Sequence, residues 1–304
     1  MNIVVVFFEN RRLFMLGAEY LCKNLRDCGI TFFCGIPGTD TTPVYNVCEQ
    51  FGIHPVVVKN EMFATMIADG YARVARKPSV VISVPGPGAL ALTPGMMEAY
   101  ASSIPMIVIA TDIPRAFRNQ GRGHLHEVRD LEKVFTSLSA RTTVINHAHD
   151  FSFLSFVKEE LQSKRPRPYV LVVPSDVYQE QTEGRPCQSF HTIPIPDARD
   201  ITYVAKQLMN AKRPIIVAGA GVWWDNAMRE LVNLAETFSI PIFTSINGKG
   251  VISDTHQCGF GQLIGEPEMQ TLIAQSDLVL ALGTRWSDRS TDRWSLPLPK
   301  NIIA

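Results

Sequence analysis

The sequence predicts an α/β protein of two doubly wound parallel-sheet domains, the second an incomplete Rossmann-like unit. Three observations carry this expectation. Short, near-continuous apolar runs recur along the 304 residues, as strands buried on both faces require. Segments with apolar residues at helical spacing alternate with them, the pattern of a parallel sheet covered by helices. One polar stretch, Gln181 to Asp197, holds Pro186, Pro194 and Pro196 and separates two such series as a linker would.

The elements follow in order. Leu16, Tyr20, Leu21 and Leu25 have helical spacing, and Gly29 stops that helix. Ile30 to Cys34 reads as a buried strand ending in the turn Gly35-Ile36-Pro37-Gly38. Pro43 suits the first turn of a helix reaching Gln50. A strand over Pro55 to Val58 leads into a long helix from Glu61 to Ala75. Then come the strand Val80 to Val84, a Pro/Gly turn, a helical stretch to Ala101 and the strand Met106 to Thr111. Residues 113–130 are rich in arginine and hold His124 and His126 without periodicity, so they read as a long loop. His147-Ala148-His149 reads as solvated loop; a helix over Phe151 to Gln162 and a strand over Tyr169 to Val173 follow.

These elements place a first domain at residues 13–180 and a linker at 181–197. A second domain, 198–304, has a helix near Ile201 to Met209, the strand Pro214 to Ala218 and the turn Gly219-Ala220-Gly221. Helices near Ala227 to Phe238 and Pro267 to Ala274 alternate with strands over Pro241 to Thr244 and Asp277 to Leu282. Ile302-Ile303-Ala304 reads as a strand just starting, so this domain is expected to be truncated at its C-terminal end.

Charge and cysteine usage narrow the function classes. Lys+Arg and Asp+Glu are both 29, so neither nucleic acid nor a membrane surface is an expected partner. The six cysteines form no C-x-x-C pair, and Cys22, Cys28, Cys34 and Cys48 lie in or beside apolar segments. That suits a reduced, cytoplasmic chain. The apolar run Ile3 to Phe8 is too short for a signal sequence and is followed, not preceded, by charges. No stretch approaches the ~20 apolar residues that span a bilayer.

Three places carry candidate chemistry. Glu61 opens a helix after a strand, behind Asn60, a suitable N-cap. A strand-end carboxylate sits where open α/β sheets bind ligands, although spacing alone favours an acid that complements the helix dipole. Gly86-Pro87-Gly88-Ala89-Leu90-Ala91 after a strand fits G-x-G-x-x-A, and Asp112 ends the next strand. Pro85 and Pro87 each remove an amide a pyrophosphate would use, which favours a structural turn or a different ligand. His124, His126 and Glu127 form an H-x-H-E cluster without further ligands at recognised spacing, so no metal site is expected.

Taken together, these features resemble the thiamine-diphosphate enzymes of the acetolactate synthase and benzoylformate decarboxylase type. Gly35 to Gly38 is similar to that family's G-x-P-G turn. Asn60-Glu61-Met62 with Ala68-Asp69-Gly70-Tyr71-Ala72-Arg73 resembles its helix with Glu and G-Y-A-R. Gly86-Pro87-Gly88-Ala89 resembles its S-G-P-G-A-T-N loop, and Ser103-Ile104-Pro105 its approach to the next strand. Leu125-His126-Glu127 stands where Phe-Gln-Glu is common. Arg213 to Gly221 and Leu282-Gly283-Thr284-Arg285 resemble its middle domain.

The resemblance implies a pyrimidine-binding domain followed by a central domain, and a 2-oxo acid decarboxylase or carboligase. Glu61 would then hydrogen-bond the cofactor's aminopyrimidine and so activate its thiazolium carbon. Pro37, Gly38, Gly86, Pro87 and Gly88 would shape the cofactor pocket, and His126 would face the substrate. The cofactor is thiamine diphosphate, with Mg²⁺ held by a diphosphate-binding domain absent from the chain; FAD on the central domain stays open. A homo-oligomer or a partner chain is implied, because the family builds its site between two subunits. Asn60 for His, Pro85 for Ser, Leu90-Ala91 for Thr-Asn, Pro94-Gly95 within a helix and His126 for Gln depart from the family pattern. An NAD- or FAD-binding oxidoreductase and an inactive interaction protein of the same fold are the alternatives.

Overall fold

A computed structural model describes residues 14–163, 165–184, 195–262 and 267–304. The run Ile3 to Phe8, Cys187 and most of the expected linker lie outside them. The chain divides into two compact units at residues 193/194.

In the first unit, β1 (Phe14–Leu16) leads into α1 (Gly17–Asp27), where the Glu19 carboxylate accepts the Leu16 amide at 2.8 Å. Next come β2 (Phe32–Gly35), α2 (Thr42–Val47), β3 (His54–Val57), α3 (Glu61–Ala75) and β4 (Ser79–Ser83). Two helices, α4 (Pro87–Ala91) and α5 (Thr93–Ser102), precede β5 (Met106–Asp112). After the long loop come α6 (Leu131–Thr136), β6 (Arg141–Val144), α7 (Phe153–Ser163), β7 (Tyr169–Pro174) and β8 (Gln181–Glu183).

Six strands pair in the order β3-β2-β4-β5-β7-β6, every pair parallel. β4, β5 and β7 are buried at every position, which is why Val80–Ile82, Met106–Ala110 and Tyr169–Val173 are continuous apolar runs rather than alternating ones. Val80, Ile82, Ile107 and Ile109 share one core with Leu21 and Leu25 of α1.

Four expectations need correction. The helix running to Ala101 is two helices meeting at Leu92. Pro94 has no amide to give and sits in the first turn of α5, where none is needed. Gln181 does not begin a linker: β8 pairs antiparallel with β1, Leu16 opposite Gln181. The sequence reading passed over α6 and β6; β6 is an edge strand of half-exposed Thr and Arg with no apolar run to reveal it. His147 and His149 are exposed as a solvated loop would have them, but a 3-10 turn over Ala148–Ser152 buries Ala148, and Asp150 accepts the amides of Asn146 and His147 at 3.1 and 2.9 Å.

One helix has its residues reversed in size. α3 buries Ala64, Thr65, Ala68 and Ala72, and exposes Phe63, Met66, Ile67 and Val74. The exposed set, with Gly70, falls on one stripe at i, i+3, i+4, i+7 and i+11. Small residues inside allow close approach: a Cβ on Gly95 of α5 would lie 2.0 Å from Thr65 Oγ1.

The second unit contains α8 (Ala198–Asn210), β9 (Pro214–Ala218), α9 (Ala220–Trp224), α10 (Met228–Phe238) and β10 (Ile242–Thr244). β11 (Gly259–Gln262), α11 (Pro267–Gln275), β12 (Leu278–Leu282) and β13 (Ile302–Ile303) follow. Its strands are parallel in the order β11-β10-β9-β12-β13. β11 was not foreseen, because Gly259 and Gly261 break its pattern. The two sheets bear out the doubly wound parallel class.

Candidate active site

Strand order locates a crevice in the first unit. From β2 the chain moves to β3 on one side, then crosses back to β4 on the other. Loops leaving β2 and β4 diverge at this reversal, where open α/β sheets take ligands. The loop after β2 carries Pro37 and Gly38; after β4 the chain turns at Gly86, the N-cap of α4, with Pro87 and Gly88 in its first turn. Glu61 follows β3 on the same sheet edge.

Glu61 is half-buried as the first residue of α3. Asn60 is the N-cap, its side-chain oxygen accepting the Met62 amide at 2.8 Å. A Cβ on Gly88 would stand 2.7 Å from Glu61 Oε1 and 2.5 Å from Val84 Cγ2. A Cβ on Gly38 would stand 2.6 Å from Val84 Cγ1. Both glycines therefore crowd the two methyls of Val84, with the Glu61 carboxylate on the Gly88 side. Pro37, on the loop after β2, and Pro87, the first residue of α4, are both exposed.

Val84 and Tyr45 were not among the expected residues. Val84 reads from sequence as only the last residue of a strand, and Tyr45 as part of a helix face. The Tyr45 hydroxyl is buried without a hydrogen-bond partner, and a Cβ on Gly35 would lie 2.8 Å from it. Burial, then the neighbouring Cys48, Cys34 and Glu61, push its ionisation well up, so it stays a neutral phenol.

The loop after β4 also meets the long loop. Gly86 has φ 62° and ψ −115°, a region open to glycine alone. A Cβ there would fall 2.7 Å from the His126 carbonyl oxygen and 2.8 Å from its Cβ. His126 is exposed and left-handed, with φ 66°. The long loop begins with a tie to the sheet: Arg118 Nε donates to Asp112 Oδ2 at 2.7 Å, both side chains largely buried. His124 stacks on Phe117 at 4.7 Å, and the Glu127 carboxylate accepts backbone amides. The H-x-H-E cluster is thus a folded loop, and among the described residues no three His, Cys, Asp or Glu gather as metal ligands would.

The chemistry of these residues fits the pyrimidine end of thiamine diphosphate: a half-buried carboxylate able to hydrogen-bond a ring nitrogen, beside turns whose glycines pack tightly against Val84 and His126. The second unit fits a dinucleotide less well. Its reversal lies between β9 and β12, yet the Gly219 and Gly221 amides donate to Leu282 and Gly283 carbonyls at 2.8 and 3.0 Å. A Cβ on Gly219 would lie 2.2 Å from the Gly283 oxygen. This turn presents neither amide to a pyrophosphate, so it does not fit FAD or NAD in that manner.

Comparison with known proteins agrees with the geometry. Residues 15–134 match the N-terminal TPP binding domain of thiamine pyrophosphate enzymes, and residues 201–304 match the central domain of such enzymes. The chain is 30% identical over 308 residues to a probable 2-ketoarginine decarboxylase of Pseudomonas aeruginosa, covering 95% of this chain and 52% of that protein. It is 28% identical to the acetolactate synthase large subunit of Haemophilus influenzae, covering 91% of this chain and 50% of that one. A probable acetolactate synthase large subunit of Methanococcus aeolicus is 29% identical, with 91% and 48% covered. The chain spans about half the length of these relatives. With both family models matched in order, and with glycine turns and a carboxylate at the sheet reversal, this chain belongs to the thiamine pyrophosphate enzyme family.

Proposed function

We propose that this chain supplies the pyrimidine-binding part of an enzyme that decarboxylates or ligates a 2-oxo acid. One observation carries the reading: the Glu61 carboxylate meets the Gly88 turn at the point where the strand order reverses. Bound thiamine diphosphate supplies a carbon nucleophile and an electron sink. Glu61 would hold a proton against the cofactor's ring nitrogen, a charge-assisted bond that strengthens as water leaves. Gly38, Gly86 and Gly88 would let backbone approach the ring, with Pro37 and Pro87 at its rim. His126, exposed beside Gly86, would donate to the substrate or carry a proton.

The first unit, through β8, then serves as the pyrimidine-binding domain and 198–304 as part of a central domain. The diphosphate and Mg²⁺ would be held by a domain outside these 304 residues. The apolar stripe of α3 supports a second subunit against this helix: Phe63, Met66, Ile67 and Val74 are 50, 49, 42 and 82% exposed, an arrangement typical of interfaces. No helix among the described residues is long and apolar enough to cross a membrane, and the cysteine usage suits a cytoplasmic enzyme.

The test is Glu61→Gln in an enzyme assembled with a diphosphate-binding domain. Carbon dioxide release from a panel of 2-oxo acids should fall about 10²-fold or more. Unchanged release would reject the assignment, and hydride transfer indifferent to Glu61→Gln would favour an oxidoreductase.

A further inference from the structure

Glu127 directly follows His126, yet its side chain turns back into its own loop. Its Oε1 accepts the Gly121 amide at 2.8 Å, and its Oε2 accepts those of Gly123 and His124 at 2.9 and 3.1 Å. The Glu127 amide in turn donates to the His124 carbonyl at 2.9 Å. Gly121 and Gly123 are left-handed, with φ 61° and 74°. Successive amides in such a conformation converge on an anion. Here the anion is the chain's own carboxylate.

The same loop has little apolar material to fix it. Leu125 is 75% exposed, and His126 is exposed beside it. His126 nevertheless sits against Gly86 so closely that a Cβ on that glycine would overlap three of its atoms, at 2.7 to 2.9 Å. A polar segment holds such a position through hydrogen bonds to charge rather than through burial. Arg118 anchors the start of the loop, and the amide cradle closes its end.

We propose that Glu127 is the positioning residue for His126: its carboxylate gathers residues 121–124 and so seats His126 on the Gly86 turn. The catalytic consequence rests on the reading of His126 given above; the seating itself does not. Glu127 touches no substrate in this scheme. It acts through the backbone.

Two measurements test the two parts separately. The first is amide hydrogen exchange on the 304-residue chain. Glu127→Ala should speed exchange at Gly121, Gly123 and His124 by at least about tenfold, with α3 unchanged. Glu127→Gln, which keeps the volume and one acceptor oxygen, should fall between Ala and the parent chain. It carries the comparison if the Ala variant does not fold. Equal rates at those amides in the parent and Glu127→Gln or Glu127→Ala chains would overturn the proposal. The second is a double-mutant cycle in the assembled enzyme, reading kcat and KM for a 2-oxo acid. His126→Ala and Glu127→Ala should each lower kcat, and the double variant should be no worse than His126→Ala alone. Losses that multiply would show that Glu127 does not act through His126. If His126→Ala leaves turnover intact, the proposed role of His126 fails while the exchange result still decides the seating.

Discussion

Gly88→Ala separates stability from chemistry. The added methyl would lie 2.7 Å from Glu61 Oε1 and 2.5 Å from Val84 Cγ2. Both are ends of side chains, so the backbone need not move. Ordinary contact begins near 3.4 Å, so the carboxylate oxygen must retreat by about 0.7 Å, the difference of 3.4 and 2.7. Gly88 lies within α4, where alanine is favoured over glycine by about 1 kcal/mol. That gain offsets an overpacking cost of about 1–3 kcal/mol, leaving a net loss of at most about 2 kcal/mol. Catalysis is less tolerant, since a 1 Å misplacement costs on the order of 10²-fold. Thermal unfolding should therefore move by only a few degrees, about 2–4 °C per kcal/mol for a domain of this size. Carbon dioxide release by the assembled enzyme should fall about ten- to a hundredfold. Full activity with an unchanged melting temperature would refute the link between the Gly88 turn and Glu61.

Other perturbations follow from the same geometry. Gly86→Ala forces a side chain into a glycine-only conformation against His126 backbone, and should cost about 3 kcal/mol or more in urea unfolding. Tyr45→Phe removes a buried hydroxyl that lacks a partner, so stability should hold or rise by up to about 1 kcal/mol; a loss beyond that would mean the hydroxyl is bonded. Arg118→Ala strands the buried Asp112 carboxylate and should cost about 3–5 kcal/mol by the same assay. The amide of Gly121 first, then those of His124, Gly123 and Arg122, hold the Glu127 carboxyl below its ordinary range. A lowered folded value means the cradle's contribution is complete above the ordinary carboxylate value, about pH 4.3, and is lost as pH falls below it through the lower folded value. Amide chemical shifts of Gly121 and Gly123, followed from neutral pH to about pH 3, should move together in acid and stay flat above about pH 5.

Much of this was legible in the sequence for physical reasons. β4, β5 and β9 announced themselves because strands buried on both faces carry continuous apolar runs, Val80–Ile82, Met106–Ala110 and Pro214–Ala218. α3 was bounded correctly because Asn60 caps it and Glu61 opens it. β6 and β11 were invisible because an edge strand of threonines and a strand with two glycines carry no periodic signal. At the site, the Gly38 and Gly86 to Gly88 turns stood out as glycine punctuation. Val84 did not, since its importance lies in touching two loops that are distant in sequence. Glu127 read as part of a loop surface or polar pocket rim; only the fold shows its oxygens taken by amides three to six residues earlier. The turn Gly219-Ala220-Gly221 was a weak nucleotide-turn candidate, and the fold shows both its glycines packed against Gly283.

The small ribbon of β1 and β8 has an engineering consequence. Phe14 lies opposite Glu183 and Leu16 opposite Gln181, so the first and last described strands of the first unit run side by side, about 5 Å apart. A few residues would join those two points, and new ends could then be opened at an exposed loop elsewhere. Circular permutants of this unit should fold, because the covalent path would change while every strand neighbour stayed the same. The unit is therefore suited to being carried as an insert within another protein's loop.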